Sequence, residues 1–207
     1  MPAPAAGLPV APMTDTVGTL TKSQAARRQR VLEAALELGS DGGYEAVQMR
    51  DVATRANVAL GTIYRYFSSK DHLLAAALVE WARDLERRVS ARPPRGDTVA
   101  ARMIDILSRA TRAMEREPEL SAALMAALSA PDPRAAECQQ EVGEVMARIQ
   151  AQAFPPGFEP ELQAAIVRTL GHVWFSALIG WVNGWVGITE AGTELAAAAH
   201  LLLDQYD

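Results

Sequence analysis

Between Thr169 and Ile188 the sequence holds no Asp, Glu, Lys or Arg. An uncharged run of about 20 residues either spans a bilayer or is enclosed by protein on every side, which restricts the rest of the chain to one of two designs. Its surroundings favour enclosure. His172, Ser176, Asn183 and four glycines interrupt the run, Arg168 stands on one side only, acidic Glu190 and Glu194 stand on the other, and no second run of this kind exists. An apolar helix with more surface than one protomer can cover predicts a soluble homodimer and no membrane partner.

The remaining segments read as helices of the same packed body. Hydrophobic residues make up 49% of the chain and aromatics only 6%, and β-branched runs of strand length are missing, so an all-α fold is expected. Val31, Ala35 and Leu38, with Leu32 and Leu36 beside them, mark a helix over 22–41 that Gly42-Gly43 stops. Two short helices follow, 48–56 and 59–66, around a tight turn at Asn57-Val58. Ser68-Ser69 with Asp71 predicts a capped start for a long helix, 69–91, that runs through Leu74, Leu78, Trp81 and Leu85 toward Pro93-Pro94. Asp97-Thr98 caps the next, with Met103, Leu107, Ala110 and Met114 inward and Arg102, Arg109, Arg112 and Arg116 outward. Pro118 opens another at its first turn, and breaks at Pro131, Pro133 and Phe154-Pro155-Pro156-Gly157 delimit helices over 133–153, 159–186 and 190–205. The expected organisation is about nine helices. A flexible tail over 1–20, with four prolines and neither Lys nor Arg, precedes an N-terminal unit over 21–68 and a C-terminal body over 69–207.

Charge is divided unevenly. Residues 1–70 carry eight basic and six acidic side chains, and residues 71–207 carry twelve and nineteen, so a weakly basic unit sits on an acidic body. That suits a molecule that meets a polyanion at one end. The single Cys138 and the scattered His72, His172 and His200 offer neither a disulfide nor zinc-type spacing. No nucleophile–base pair or glycine-rich phosphate loop is recognisable, so neither catalysis, a cofactor nor a metal is expected, and a reducing cytoplasm is the expected location.

The most specific stretch runs from Gly43-Tyr44-Glu45-Ala46-Val47-Gln48-Met49-Arg50-Asp51-Val52-Ala53 to Gly61-Thr62-Ile63-Tyr64-Arg65-Tyr66-Phe67-Ser68-Ser69-Lys70. Val52, Ala53, Val58 and Ile63 can pin two short helices crosswise as a helix-turn-helix, which leaves Thr62, Tyr64, Arg65 and Tyr66 toward the exposed side of the second. Hydroxyls, a guanidinium and the Lys70 ammonium are the groups that hold phosphates. Lys22, Arg27, Arg28 and Arg30 suit a solvated face and a phosphate-contacting arm equally well.

These residues resemble the DNA-binding domain of the TetR family over about residues 21–71. The resemblance implies that helix 59–66 enters the major groove of a palindromic double-stranded operator. Tyr64, Tyr66 and Lys70 would then hold phosphates, Thr62 and Arg65 would meet base edges, and Gln48, Met49, Arg50, Leu60 and Gly61 would supply the remaining contacts. Gln48-Met49 stand where the family often has a threonine. The family also implies a homodimeric repressor that leaves its operator when a small hydrophobic effector occupies the C-terminal body. Within the family, the Gly43–Arg50 segment, the GT-I-YRYF-SK pattern and Val173-Trp174-Phe175-Ser176 with Trp181 are similar to repressors of sterol catabolism in actinobacteria. That similarity implies a sterol-derived coenzyme A thioester as effector.

Trp81, Met103, Leu107, Met125, Leu128, Met146, Trp174 and Leu178 are the expected apolar walls of the effector cavity, although each alone reads as ordinary core. The arginine stripe of Arg102, Arg109, Arg112 and Arg116 is the only dense cationic feature of the body that could meet thioester phosphates, and residue by residue it reads as a solvated face. Gly180 and Gly184, four apart, are expected at the dimer contact with Trp181, Leu195, Ala199 and Leu202. Helix 69–91, which carries Trp81, is the expected lever between effector and DNA. The competing reading is a helical metabolite-binding or membrane-associated protein with no transcriptional role, and salt-dependent binding to one palindromic operator separates the two.

Overall fold

The structure, a computed structural model, describes residues 21–206, so the expected tail over 1–20 lies outside the described residues. Among the described residues the chain forms nine α-helices and no strand. Helix α1 (Lys22–Ala46) opens on a reciprocal cap: Thr21 Oγ1 accepts from the Gln24 amide at 3.3 Å and Gln24 Oε1 accepts from the Thr21 amide at 2.8 Å. Val31, Leu32, Ala34 and Ala35 are its buried stripe. The stop expected at Gly42-Gly43 is a sharp kink, because Gly43 takes a φ of +67°, a conformation that costs a residue with a Cβ 1–2 kcal/mol or so. One further turn, Tyr44–Ala46, follows the kink.

Helices α2 (Met49–Arg55) and α3 (Leu60–Tyr66) cross around a turn in which Asn57 has a φ of +52°. The Val58 amide donates back to the Ala53 carbonyl at 3.0 Å and closes that turn. Helix α4 (Lys70–Ala91) starts differently from expectation. Ser69 alone makes the cap, accepting from the His72 amide at 2.9 Å, while the Asp71 carboxylate turns away to accept the Tyr44 hydroxyl at 2.5 Å. At 22 residues α4 is about 33 Å long. Its run of small residues, Ala75, Ala76 and Ala77, is fully enclosed because α1, α6 and α7 all pack on it.

The body continues with α5 (Val99–Glu115), α6 (Pro118–Leu128), α7 (Pro133–Ala151), α8 (Pro160–Val182) and α9 (Ile188–Leu203), closed by a 3-10 turn over Asp204–Tyr206. Pro118, Pro133 and Pro160 each sit in the first turn, where no amide donor is missed. Helix α8 is shorter than the expected 159–186, and the reason is local. Gly184, at a φ of +71°, lets the Trp185 amide reach the Gly180 carbonyl at 2.8 Å and the Gly184 amide reach the Trp181 carbonyl at 2.9 Å, which together form a Schellman stop. By length and composition α8 could cross a membrane. Here Ile166, Val167, Leu170, Trp174, Leu178 and Gly180 are buried inside the protein, and the Trp174 indole N–H donates to Thr111 Oγ1 on α5 at 2.9 Å.

Candidate functional site

Helix α3 is held by its inner side. Ile63 and Phe67 are fully buried in the same core as Val52, Ala53 and Ala56 of α2 and its C-terminal end, and the Arg28 guanidinium lies 5.4 Å from the Phe67 ring centroid. Positions 61, 64 and 65, spaced i, i+3 and i+4, therefore share the outward side, and all three are exposed. Tyr64 keeps 52% of its surface free, unusual for an aromatic residue on so short a helix. Thr62 is half-buried at the edge of this face. A Cβ added at Gly61 would meet no other atom within 4 Å, so nothing inside the protein requires glycine there.

The expected contact residues divide into two groups. Arg50 is exposed beside an open groove of about 580 Å³ between α2 and α3, and Gln48 is exposed with its amide donating to the Glu45 carbonyl at 2.9 Å. Neither Arg50 nor Arg65 has a carboxylate partner among the described residues, and Arg65 rests its guanidinium 5.5 Å from the Tyr66 ring centroid. Met49, Leu60 and Tyr66, by contrast, turn toward the core. The Tyr66 hydroxyl is buried and finds no hydrogen-bond partner among the described residues, so it does not project as a phosphate contact would. Lys70 is also committed: its ammonium donates to the Tyr44 carbonyl at 3.1 Å and sits 3.6 Å above the Tyr44 ring. That ammonium helps hold the turn after the Gly43 kink.

Several cations of the N-terminal unit brace the fold. Arg55 pairs with Glu37 and Asp41 at 3.5 and 3.1 Å, Arg28 pairs with Glu80 at 3.4 Å, and Arg30 donates to the Ala56 carbonyl at 3.5 Å. Sequence reading found neither the Ser40 contact that joins this unit to the body nor the one that ties the start of α4 to the start of α7. Ser40 Oγ donates to Glu117 at 2.6 Å, and Ser69 Oγ donates to Asp132 at 2.5 Å while its own oxygen caps α4. Asp132 at the same time caps α7 by accepting from the Arg134 and Ala135 amides at 2.7 and 3.2 Å. The Ser69 hydroxyl holds the Asp132 carboxyl below its ordinary range, and burial holds the neighbouring His72 below that of a free imidazole. Burial, reinforced by the Asp71 carboxylate, pushes the Tyr44 phenol up to about 12.

In the body, Met103, Leu107, Met125, Leu128, Met146, Trp174 and Leu178 belong to one continuous core, and Trp81 is half-buried against it. Leu107 alone of these borders a crevice, about 180 Å³ between α5 and α9, whose other apolar walls are Ile104, Ile188 and Leu195. Cys138 is buried with its thiol pushed up by desolvation, the opposite of what a nucleophile needs. Arg102 does not face out freely, because its guanidinium donates to the carbonyls of Ala153, Gly96 and Asp97.

The expected dimer residues differ in how far their own protomer covers them. Leu195 and Ala199 are buried within their own protomer, on the side of α9 that packs on α5, so they are not free to meet a partner. Gly180 faces Val186 of the same chain, at 3.0 Å from a Cβ built there, and Gly184 terminates α8. Trp181 and Leu202 remain half-buried, and Leu201 and Trp185 are exposed by 84% and 73%.

A helix-turn-helix on a body of six further helices defines a class of DNA-binding regulators, and the comparisons place the chain within it. Residues 31–77 match the bacterial regulatory proteins of the tetR family and residues 96–202 match the tetracyclin repressor-like C-terminal domain; the chain belongs to the TetR family. Regulators of this family bind operator DNA and act as dimers. It is 44% identical to the HTH-type transcriptional repressor KstR of Rhodococcus jostii (strain RHA1), over 88% of this chain and 85% of that protein. The crystal structure of a TetR transcriptional regulator from Rhodococcus sp. RHA1 superposes with a TM-score of 0.81 at 32% identity, covering 90% of this chain and all of that one. The same fold, at 23% identity and a TM-score of 0.61 over 84% of this chain and 92% of the other, occurs in Thermus thermophilus FadR, a TetR-family repressor in complex with lauroyl-CoA.

Proposed function

We propose that a homodimer of this protein represses transcription in the cytoplasm by holding a palindromic operator through the Gly61–Tyr64–Arg65 face of α3. A small amphipathic effector entering the C-terminal body lifts the repression. The observation that carries this reading is that outward face: one aromatic residue, one unpaired guanidinium and a glycine that packing does not require, on a helix whose inner side is locked. Arg65 and Thr62 meet base edges, Tyr64 and Arg50 position the backbone, and Lys70 contributes through the donors left over from Tyr44. The outer sides of α8 and α9, with Trp181, Leu202 and Leu201, meet the second copy, and half-sites lie ~34–36 Å apart or a multiple of that distance.

The effector reading is a coenzyme A thioester of a sterol catabolite. It is supported by the similarity of residues 43–50 and 173–176 to regulators of sterol catabolism, and by the capacity of the fold to hold an acyl-CoA in the Thermus protein. The α5–α9 crevice is smaller than the ~300 Å³ at which ligand pockets begin, so a sterol-sized group must part the core helices to enter. A ligand that parts them has the differential affinity for two conformations that release requires. The test is operator binding measured against salt. A steep salt dependence with preference for one palindrome is expected, with Thr62→Ala altering preference at one or two positions and Lys70→Ala weakening all sequences alike. Weak binding indifferent to sequence would defeat the repressor reading. Operator release by neither sterol-derived thioesters nor their free acids would remove the sterol assignment alone.

A further inference from the structure

Half of the basic residues of the acidic body gather in one place. Of the twelve in residues 71–207, six line a single groove of about 430 Å³ between the end of α4 and α5: Arg88, Arg92, Arg95, Arg109, Arg112 and Arg116. Asp105 is the one carboxylate in its lining. That carboxylate is already engaged, since it pairs with Arg109 at 2.5 Å and accepts the Arg95 amide at 3.0 Å. Arg109 is engaged too, donating to the carbonyls of Arg92 and Pro93 at 2.6 and 3.3 Å. These two residues therefore build the wall, folding the chain after α4 onto α5. Arg88 pairs with Asp84 at 2.9 Å. The side chains of Arg92, Arg95, Arg112 and Arg116 have neither a carboxylate nor a hydrogen-bond partner among the described residues, and all four are exposed.

Four unpaired guanidiniums around one groove repel one another, a cost that an anion between them removes. The operator is not that anion. Arg88 lies 18 residues along α4 from Lys70, about 27 Å from the DNA-reading end. A single carboxylate would occupy one arginine and leave the others, whereas phosphates take planar guanidiniums in pairs from several sides. Leu85, Val89 and Ala113 give the groove an apolar floor of the kind on which a base ring rests. Arg112 borders both this groove and the α5–α9 crevice, where Ser108, Thr111, Glu115 and Thr189 stand among the apolar walls, so the two sites meet across one side chain.

We infer that the arginine groove binds the phosphorylated nucleotide portion of a ligand, bridging α4 and α5 at the end of α4 farthest from DNA. Two sources share that chemistry: a free nucleotide, and the nucleotide end of a thioester whose acyl part passes Arg112 into the crevice. The second source rests on the effector reading above; the groove itself does not. A ligand that draws Arg88, Arg92 and Arg95 toward α5 acts on the helix that follows α3 directly in the chain, packs His72 on the Phe67 ring at the end of α3, and is bonded through its capping Ser69 to Asp132 at the start of α7, which gives it mechanical access to the DNA-reading unit.

The test is calorimetric titration of the full chain with adenosine 3′,5′-bisphosphate, free coenzyme A and a sterol-derived coenzyme A thioester, on wild type, on Arg112→Ala/Arg116→Ala and on Arg87→Ala, which lies outside the groove. Both groove residues are exposed, so the double variant should melt as wild type does. Removing two charge-assisted contacts should weaken every compound by about a hundredfold, and Arg87→Ala should change nothing. Equal affinities for the bisphosphate and the thioester, both lost in the double variant, assign the groove to a free nucleotide. Tighter binding of the thioester, again lost, assigns it to the thioester. Undiminished binding to the double variant, or no binding of any of the three to wild type, overturns the inference. Operator release separates the two readings: a thioester that frees operator from wild type and double variant alike leaves the effector reading standing without the groove, and groove binding that frees no operator does the reverse.

Discussion

Replacing Gly61 by alanine should separate folding from DNA binding. A Cβ at this position meets nothing within 4 Å inside the protein, and Gly61 is not among the residues with positive φ, so the methyl causes neither clash nor strain. Helix propensity favours alanine over glycine by up to ~1 kcal/mol in a helix interior and by less in a first turn. A chain of this size gains about 2–4 °C in Tm per kcal/mol, so the variant should melt at the wild-type temperature or a degree or two above it. The same methyl points outward from the face shared with Tyr64 and Arg65. If the backbone of α3 lies against a phosphate there, the methyl displaces it and removes one charge-assisted contact, about 1.5–3 kcal/mol per protomer. A dimer on two half-sites loses twice that, roughly a hundredfold to ten-thousandfold in operator affinity. Fluorescence anisotropy of labelled operator at fixed salt, together with a thermal melt, measures both effects. Unchanged affinity would show that the start of α3 does not approach DNA, and a lowered Tm would show that the glycine serves the fold.

Thr111→Val strands the buried Trp174 indole N–H, which should cost about 1–3 kcal/mol in a chemical melt. Adding Trp174→Phe should recover part of it, so strictly additive losses would contradict the contact. Stability should fall on acidification in two stages. Burial keeps the folded His72 below the ~6.5 of a free imidazole, so the unfolded chain takes up the proton first and stability declines as pH drops below about 6.5. Asp132, held low by Ser69, adds a second decline below about pH 4 as its folded carboxyl titrates. His72→Gln should flatten the first stage in denaturant melts at pH 7.5 and 5.5, values chosen about one unit either side of the free imidazole; an unchanged slope would refute the assignment. Gly184→Ala forces a Cβ into the left-handed region and should cost roughly 1–2 kcal/mol without altering operator affinity.

The helices and their limits were largely legible because the signals are local. Proline in a first turn, an interruption at Gly42-Gly43 (expected as a stop, found as a kink), Thr98 at a cap and the crossing of α2 on α3 all follow from residues within a few positions of one another. What was not legible is which side of an apolar helix meets which neighbour. Helix α8 is apolar nearly all round, so its pattern could not separate the side that buries Trp174 and Leu178 from the side free for a second copy. Gly180 and Gly184, expected as a packing face, also make the chain-local stop of α8, and an Asn-Gly pair beyond an apolar run is itself a stop signal. Tyr44–Asp71 and Ser69–Asp132 join residues 27 and 63 positions apart, and no periodicity announces such a pair. The arginine groove was half visible as a stripe on α5; Arg88, Arg92 and Arg95 join it only because Arg109 and Asp105 fold the intervening chain back.

The bonds that cross the boundary at residue 68 have a consequence for anyone who treats the reading head as an exchangeable part. Cutting at residue 68 and transplanting what precedes it onto a foreign body would keep the helix-turn-helix whole while separating Ser40 from Glu117, Arg28 from Glu80 and Tyr44 from Asp71. Helix α1 belongs to the head in sequence but packs on α4 and α6 as firmly as on its own unit. A working graft would have to bring α4, residues 117–120 and Asp132 along with the head. Specificity for DNA in this chain is therefore inherited with the sensing machinery rather than shuffled apart from it.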